Sequence, residues 1–187
     1  MRIIAGEAKG REILAPKGVH TRPTLAKVKE AMFGMVQFDI PGAVVLDLFS
    51  GSGGLGIEAI SRGAERAVFC DSDRQAYSVI TANIKKLGFE SRASVTFGDS
   101  LLLLKRLAME GEKFDIVFLD PPYETDLESR AVRLLDEYDL LNEGAVVMCE
   151  HSKANPPVFT AAYSVKKERK YGDCYVTPAV YKGADQV

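Results

Sequence analysis

The chain has no apolar run long enough to cross a membrane. Lys, Arg, Asp and Glu interrupt every candidate before the roughly 18 residues that a span requires. The opening, Met1-Arg2-Ile3-Ile4-Ala5-Gly6, lacks the long apolar stretch of a signal peptide, so the expected compartment is the cytoplasm. Cysteine is scarce. Cys70, Cys149 and Cys174 are odd in number, far apart and without C-x-x-C spacing. That argues against a zinc site and against a disulfide framework, and leaves reduced, mostly buried thiols. His20 and His151 stand isolated, so neither a metal site nor a catalytic triad is expected. A strong net charge is missing too, since the total is −2. The average hides a pattern, however. Residues 1–30 hold seven Lys/Arg against three Glu, a net of +4. Residues 163–182 hold five against two acids, a net of +3, which leaves −9 for the remainder. Positive ends on an acidic body suggest a polyanion contacted at one face.

What is present fits one domain with a small appendage. The length is 187 residues, and 47% apolar content is enough for a proper core. Residues 2–5 and 11–14 are short β-rich runs around Gly6 and Gly10 that could pair as a hairpin. Residues 16–23 read as loop. Thr24 can cap a helix with apolar residues at Leu25, Val28, Met32, Met35 and Val36. From residue 43 the texture alternates. Strand-length apolar runs fall at 43–49, 66–70, 93–97, 114–119 and 144–149, with helical patterns at about 54–62, 73–87, 99–109 and 126–138. Near-continuous Val, Leu, Ile and Phe runs separated by helices predict a doubly wound, mostly parallel α/β sheet. Past Pro156-Pro157, segments 158–168 and 174–181 read as two more strands, joined by Lys170-Tyr171-Gly172-Asp173 as a closing antiparallel hairpin. The expected sheet therefore has seven strands. The chain shows no repeats.

Two motifs carry chemistry. Val44–Phe49 leads into Ser50-Gly51-Ser52-Gly53-Gly54-Leu55-Gly56, in which Gly51, Gly53 and Gly56 spell G-x-G-x-x-G between a strand and a helix. Glycines there let the backbone turn tightly and approach a ligand beside a helix N-terminus. Asp47 lies four residues before the first glycine and puts a carboxylate at the mouth of the loop. That is poorly placed for pyrophosphate and suits a cationic ligand, S-adenosylmethionine, with its sulfonium and ammonium groups. Asp71 falls 20 residues after Gly51, where a carboxylate can accept both ribose hydroxyls. Asp73 reads as a helix cap. Asp99 can accept from an adenine amino group or can cap the next helix.

The second motif ends the buried strand Phe114–Leu119: Asp120-Pro121-Pro122-Tyr123. Ligands of open α/β sheets bind beyond the carboxyl ends of the strands, where this tetrapeptide lies. The prolines stiffen the turn. The Asp120 carboxylate and the Pro121 carbonyl can hold the two hydrogens of an aromatic amine. This draws the nitrogen toward tetrahedral geometry and aims its lone pair at a methyl group. Tyr123 can stack on the base. Such catalysis is mostly orientation, with developing charge stabilised at the nitrogen.

With both motifs in place, the sequence resembles the class I methyltransferases that modify exocyclic amines. The ends narrow this. Met1–Gly6, Lys9-Gly10-Arg11, Pro16, Arg22-Pro23-Thr24, Lys29–Phe33 and Lys170–Asp173 resemble the RsmD family of bacterial 16S rRNA guanine-N2 methyltransferases. The likeness covers nearly the whole chain. It departs at Lys29, where the family often has Arg, and at Asp71, often Glu; both changes preserve charge.

The resemblance implies a Rossmann-like domain at 39–187 preceded by an RNA-binding arm, a hairpin plus a helix, at 1–38. It implies S-adenosylmethionine held by Asp47, Phe49, Gly51, Ser52, Gly53, Asp71, Ser72, Asp99 and Ser100. Chemistry falls to Asp120, Pro121, Pro122 and Tyr123. Arg2, Lys9, Arg11, Arg22, Thr24 and Lys170, with Lys166, Lys167 and Arg169, are expected on RNA. The expected partner is 16S rRNA in an assembling 30S subunit, met by a monomer without metal or membrane. Three alternatives fit the sequence less well. An N6-adenine methyltransferase acting on DNA usually needs a recognition segment for which there is no room. A non-catalytic RNA-binding assembly factor does not explain intact Asp47, Gly51, Gly53 and Asp120. A NAD-linked oxidoreductase explains neither Asp47 nor the tetrapeptide.

Overall fold

The computed structural model describes residues 1–16, 23–122 and 125–183. Within them the order is α1 (Pro23–Met35), β1 (Val44–Asp47), α2 (Gly54–Ser61), β2 (Arg66–Asp71), α3 (Arg74–Leu87), β3 (Ala93–Phe97), α4 (Ser100–Met109), β4 (Phe114–Leu119), α5 (Leu127–Glu137), β5 (Leu141–Ser152), β6 (Tyr163–Val165), β7 (Arg169–Tyr171) and β8 (Cys174–Tyr181). The strands form one sheet in the order β3-β2-β1-β4-β5-β8-β6, with β7 also on β8. Strands β1 to β5 are parallel, and β8 runs antiparallel to β5. The order reverses between β1 and β4, the place where open α/β sheets bind ligands.

Local chemistry sets the ends of these elements. Asp73 caps α3 by accepting the N–H groups of Gln75 and Ala76, and Gly88 ends that helix at φ 76°. Asp99 caps α4 through the N–H groups of Leu101 and Leu102. Helix α1 starts at Pro23, which suits proline's fixed φ at a first helical position. Thr24 therefore falls inside the first turn and not at the cap; its side chain lies outside the described residues.

Two expectations need correction. Among the described residues the sheet has eight strands: the run expected at 158–168 supplies only residues 163–165, and residues 169–171, which reach into the expected turn, form a further strand. Residues 163–165 pair with 179–181 of β8 and residues 169–171 with 174–176, along the same edge. Between them the Lys166 N–H reaches the carbonyl of Pro178 at 2.8 Å, but Pro178 has no N–H to return. The ladder breaks there. Val158, 68% exposed, belongs to no strand. The closing turn is tighter than expected: Lys170 and Tyr171 belong to β7, and Gly172 (φ 63°) and Asp173 alone link it to β8.

The N-terminal runs meet antiparallel, but in a single bridge, Arg2 with Glu12, and not as strands. Their backbone is claimed by the core. The Ile4 and Ala5 N–H groups donate to the buried Glu58 carboxylate, each at 2.9 Å. Ala8 N–H donates to Ser61 Oγ, and Leu14 exchanges bonds with the Asn83 side-chain amide. Gly6 sits at φ 83° so close to α2 that a Cβ would lie 1.7 Å from the Ser61 carbonyl oxygen; only glycine fits. Ile3, Ala8 and Ile13, with Val28, Met32 and Phe33 of α1, belong to the same hydrophobic cluster as Val45, Phe69 and Phe118 of the sheet.

Candidate active site

Strand β1 delivers Asp47 to the carboxyl edge, and Ser50 pins the turn that follows. The Ser50 hydroxyl donates to the Asp47 carbonyl at 2.6 Å and accepts the Cys70 N–H at 3.0 Å, tying the ends of β1 and β2. Gly51 (φ 54°) and Gly53 (φ 77°) take left-handed conformations that open the loop into α2. Gly56 serves packing: a Cβ there would lie 2.3 Å from the Phe69 ring. Its N–H donates to Asp47 Oδ2 at 2.9 Å. Burial pushes the Asp47 carboxyl up to about 7, against the pull of that bond; the Asp71 charge adds to the rise and Lys29 opposes it.

Asp71 comes from the end of β2. Its Oδ2 accepts the Gly51 N–H at 2.8 Å and its Oδ1 the Asp73 N–H at 2.9 Å, so the carboxylate borders the glycine loop. Ser72 is exposed beside it. Asp99 serves as the α4 cap through Oδ1. Ser100 is buried and donates to the Leu48 carbonyl at 2.8 Å, fastening α4 to the end of β1.

The lining residues of one cleft of about 210 Å³ are Met1, Lys29, Met32, Asp47, Phe49, Ser50, Gly51, Ser52, Gly54, Leu55, Asp120 and Glu150. It lies at the carboxyl ends of the strands. A more open hollow, lined by Asp39, Asp115 and Glu143 among others, is at the opposite edge. Asp120 follows β4, and its carboxyl is held well above the ordinary range by burial first, then by the charges of Glu150, Asp47 and Glu128. Pro121 is buried and Pro122 exposed, its carbonyl accepting from Thr125 Oγ1 at 3.0 Å. Tyr123 lies outside the described residues.

The sequence reading missed Met1, Lys29, Met32 and Glu150 as cleft residues. Lys29 extends from α1, 6% exposed, with its Nζ 2.8 Å from Glu58 Oε2. Among the described residues that ammonium has no further hydrogen-bond acceptor. Burial pushes its pKa down, with Glu58 opposing. Burial also acts on Glu58, but Lys29 and the bonds from Lys29, Ile4 and Arg62 outweigh it and hold the carboxyl below its usual value. The one available signal was an acid inside the small-apolar run of α2, since buried charges are usually paired.

The residues expected on RNA divide. Lys9, Arg169 and Lys170 are exposed, with Lys170 Nζ 5.8 Å above the Tyr175 ring. Lys166 and Lys167 are exposed as well. Tyr171 of β7 packs against the cluster that holds α1, whereas Lys170, one residue earlier and over Tyr175, lies on the other face of the sheet. Arg2 pairs with Glu12 at 3.2 Å. Arg11 donates to the carbonyls of Lys86 and Leu87 and so closes the C-terminal end of α3. Arg22 lies outside the described residues. No described helix is long and apolar enough to cross a membrane.

A parallel sheet reversing between β1 and β4, a glycine loop after β1, an acid-Pro-Pro turn after β4 and an antiparallel last strand define the class I methyltransferase fold. The model of the family described as Conserved hypothetical protein 95 matches residues 1–180, and the chain belongs to that family, the RsmD family. YlbH of Bacillus subtilis is 42% identical over 153 residues, covering 82% of this chain and 83% of that one. Ribosomal RNA small subunit methyltransferase D of Haemophilus influenzae is 33% identical over 172 residues, covering 92% and 89%. The solved structure of yhhF from Escherichia coli superposes with TM-score 0.87 at 30% identity, covering 98% of each chain.

Proposed function

We propose that this protein transfers a methyl group from S-adenosylmethionine to the exocyclic N2 of a guanine in 16S rRNA, within an assembling small subunit. One observation carries the reading: Asp47 beside the glycine loop and Asp120 ahead of the proline pair open into a single cleft.

The residues present fit the cofactor by charge. Asp47 supplies a buried carboxylate for a cation, and Lys29, on the same cleft, an ammonium with donors to spare for a carboxylate. The loop residues Phe49, Gly51, Ser52 and Gly53 would bound it, and Asp71 and Ser72 would face its ribose. Asp99 and Ser100, engaged in capping and fastening α4, would border its base. When bound, the cofactor supplies an electrophilic methyl group.

The protein's own work is orientation. Asp120 and the Pro121 carbonyl accept the two amine hydrogens, and Pro122 keeps the turn stiff. Tyr123 stacks on the base. Asp120 accepts best when ionised, and its acidic surroundings oppose that. A cationic ligand near Asp47 relieves the opposition, so cofactor binding prepares the amine acceptor. The exposed Lys9, Lys166, Lys167, Arg169 and Lys170, with Arg2, Arg22 and the start of α1 around Thr24, hold phosphate. Such contacts orient the RNA without specifying the base.

The test is a tritiated-methyl transfer assay on 30S subunits, free rRNA and DNA, with calorimetry of cofactor binding. Label entering small-subunit RNA and not DNA is expected. Label in DNA would point to the adenine enzyme; cofactor binding without transfer, to an assembly factor; tight NAD binding would overturn the account altogether.

A further inference from the structure

We propose that Glu150 selects the base, its carboxylate accepting the ring N1–H of guanine beside the amino group held at Asp120. The inference rests on the reading of the protein as a guanine-N2 methyltransferase and names the residue that makes the base a guanine.

Glu150 is on β5, 4% exposed, and lines the same cleft as Asp120. Strands β4 and β5 pair Phe118 with Met148 and Leu119 with Cys149; one step further along each strand come Asp120 and Glu150. Alternation puts both on the face of Phe118 and Met148, under α1. The thiol of Cys174 on β8 donates to the Tyr171 carbonyl at 3.3 Å and is pushed up to about 12, by burial first and then by the Glu150 charge. Next to burial, the Glu150 charge is the largest influence raising the Asp120 carboxyl. Two acids side by side in a buried cleft oppose each other's ionisation. Such an arrangement suits a ligand that brings neighbouring donors.

Three bases carry an exocyclic amine, and their ring neighbours differ. In adenine and cytosine the ring nitrogen next to the amine is a bare acceptor on the Watson–Crick edge. In guanine it is N1–H, a donor. An acid that holds the amine, flanked by a second acid, therefore meets donors along guanine and a repelled lone pair on the other two. A site built to hydrogen-bond one group rejects the analogue lacking it strongly, on the order of 10⁴-fold in favourable cases.

The methylated guanosine is first mapped on subunits treated with the wild-type protein. Subunits are then reconstituted with 16S rRNA ligated to carry 2-aminopurine at that position. This base keeps the 2-amino group but has a bare N1. Single-turnover transfer by wild type should favour guanine by about 10²-fold or more. Glu150→Gln should lose rate on guanine and gain on 2-aminopurine, since its amide N–H can donate to the bare nitrogen, bringing the ratio below about tenfold. That gain separates N1 from the missing O6. Cofactor affinity of E150Q should match wild type, and its Tm should not fall, since one of two opposed buried charges is removed. If wild type uses both bases equally, or if E150Q leaves the ratio unchanged, Glu150 is not the selector. The wild-type comparison can overturn the proposal even if the variant folds poorly. Wild type forming no N2-methylguanosine on subunits would sink the enzymatic reading, and the Glu150 proposal with it. N2-methylguanosine with an unaltered ratio would sink only the latter.

Discussion

The two halves of the cleft treat their acids in opposite ways. At the ends of β1, β2 and β3, every carboxylate has backbone N–H groups to hold: Asp47 that of Gly56, Asp71 those of Gly51 and Asp73, Asp99 those of Leu101 and Leu102. At the ends of β4 and β5, Asp120 feels other acids: Glu150, Asp47 and Glu128. The first half is fixed before any ligand arrives. The second half crowds like charges together, and a base with an amine and a ring N–H would bring donors to them. Rigidity thus belongs with the constant ligand, and crowded acids with the base to be selected.

The largest expected effect breaks the second half. Asp120→Ala should lower single-turnover transfer by about 10²–10³-fold, the scale for removing one preorganised group from a reacting centre. Cofactor affinity by calorimetry should stay within about twofold. Retained transfer would remove the amine-holding role.

Next comes Asp47→Asn, which separates stability from binding. A buried acid with a raised pKa binds its proton more tightly folded than unfolded, so its ionisation at neutral pH works against the fold. From 3.8 to about 7, the shift corresponds to roughly 2–4 kcal/mol once relaxation is allowed for. Asn keeps an acceptor for the Gly56 N–H, so Tm should rise while cofactor affinity falls at least about tenfold. In the wild type, cofactor affinity should drop as pH falls through about 7, because the protonated Asp47 no longer attracts a cation. A flat affinity profile from pH 6 to 8 would contradict this.

Asp71→Ala sharpens the same half. Losing an acceptor for the ribose should weaken cofactor binding by roughly 1.5–3 kcal/mol. Transfer at saturating cofactor should change little.

Smallest are the effects on the basic face. Lys170→Ala should weaken RNA binding across sequences and shallow its salt dependence by about one unit of slope. Arg11→Ala should behave differently. Its guanidinium closes α3, so the expected loss is in Tm, by about 1 kcal/mol of stability. A salt-slope change in Arg11→Ala equal to that in Lys170→Ala would put Arg11 on the RNA after all.

Much of this was legible in the sequence, where local rules decide. Strand β3 falls on the expected residues, as does β4, because near-continuous apolar runs between capped helices leave little choice. The glycine loop, Asp71 and Asp120 reach the carboxyl edge because strand ends set that edge. Long-range pairing was less visible. Nothing local announces that Pro178 would interrupt the outer edge of β8, so that the strand expected at 158–168 shrinks to 163–165 and a separate one forms at 169–171. Glu58 is the sharper lesson. It binds two N–H groups of the arm, Lys29 and Arg62, residues from three separate parts of the chain. An arm readable as a basic appendage is in fact sealed onto the core. Deleting residues 1–22 would leave the buried Glu58 short of donors and uncover Ile3 and Ile13's packing partners. Loss of activity in that deletion would report on folding before RNA. Glu150 escaped for a similar reason: it falls one residue past the apolar run at 144–149, and only the β4–β5 register sets it beside Asp120.

The central claim is that the cleft methylates the N2 of guanine. The most direct measurement is mass-resolved nucleoside analysis of 16S rRNA from unmethylated 30S subunits, incubated with the pure protein and S-adenosylmethionine. The account predicts N2-methylguanosine at close to one equivalent per subunit in the wild type and its disappearance with Asp120→Ala. N6-methyladenosine in its place, or no methylated nucleoside despite tight cofactor binding, would contradict it.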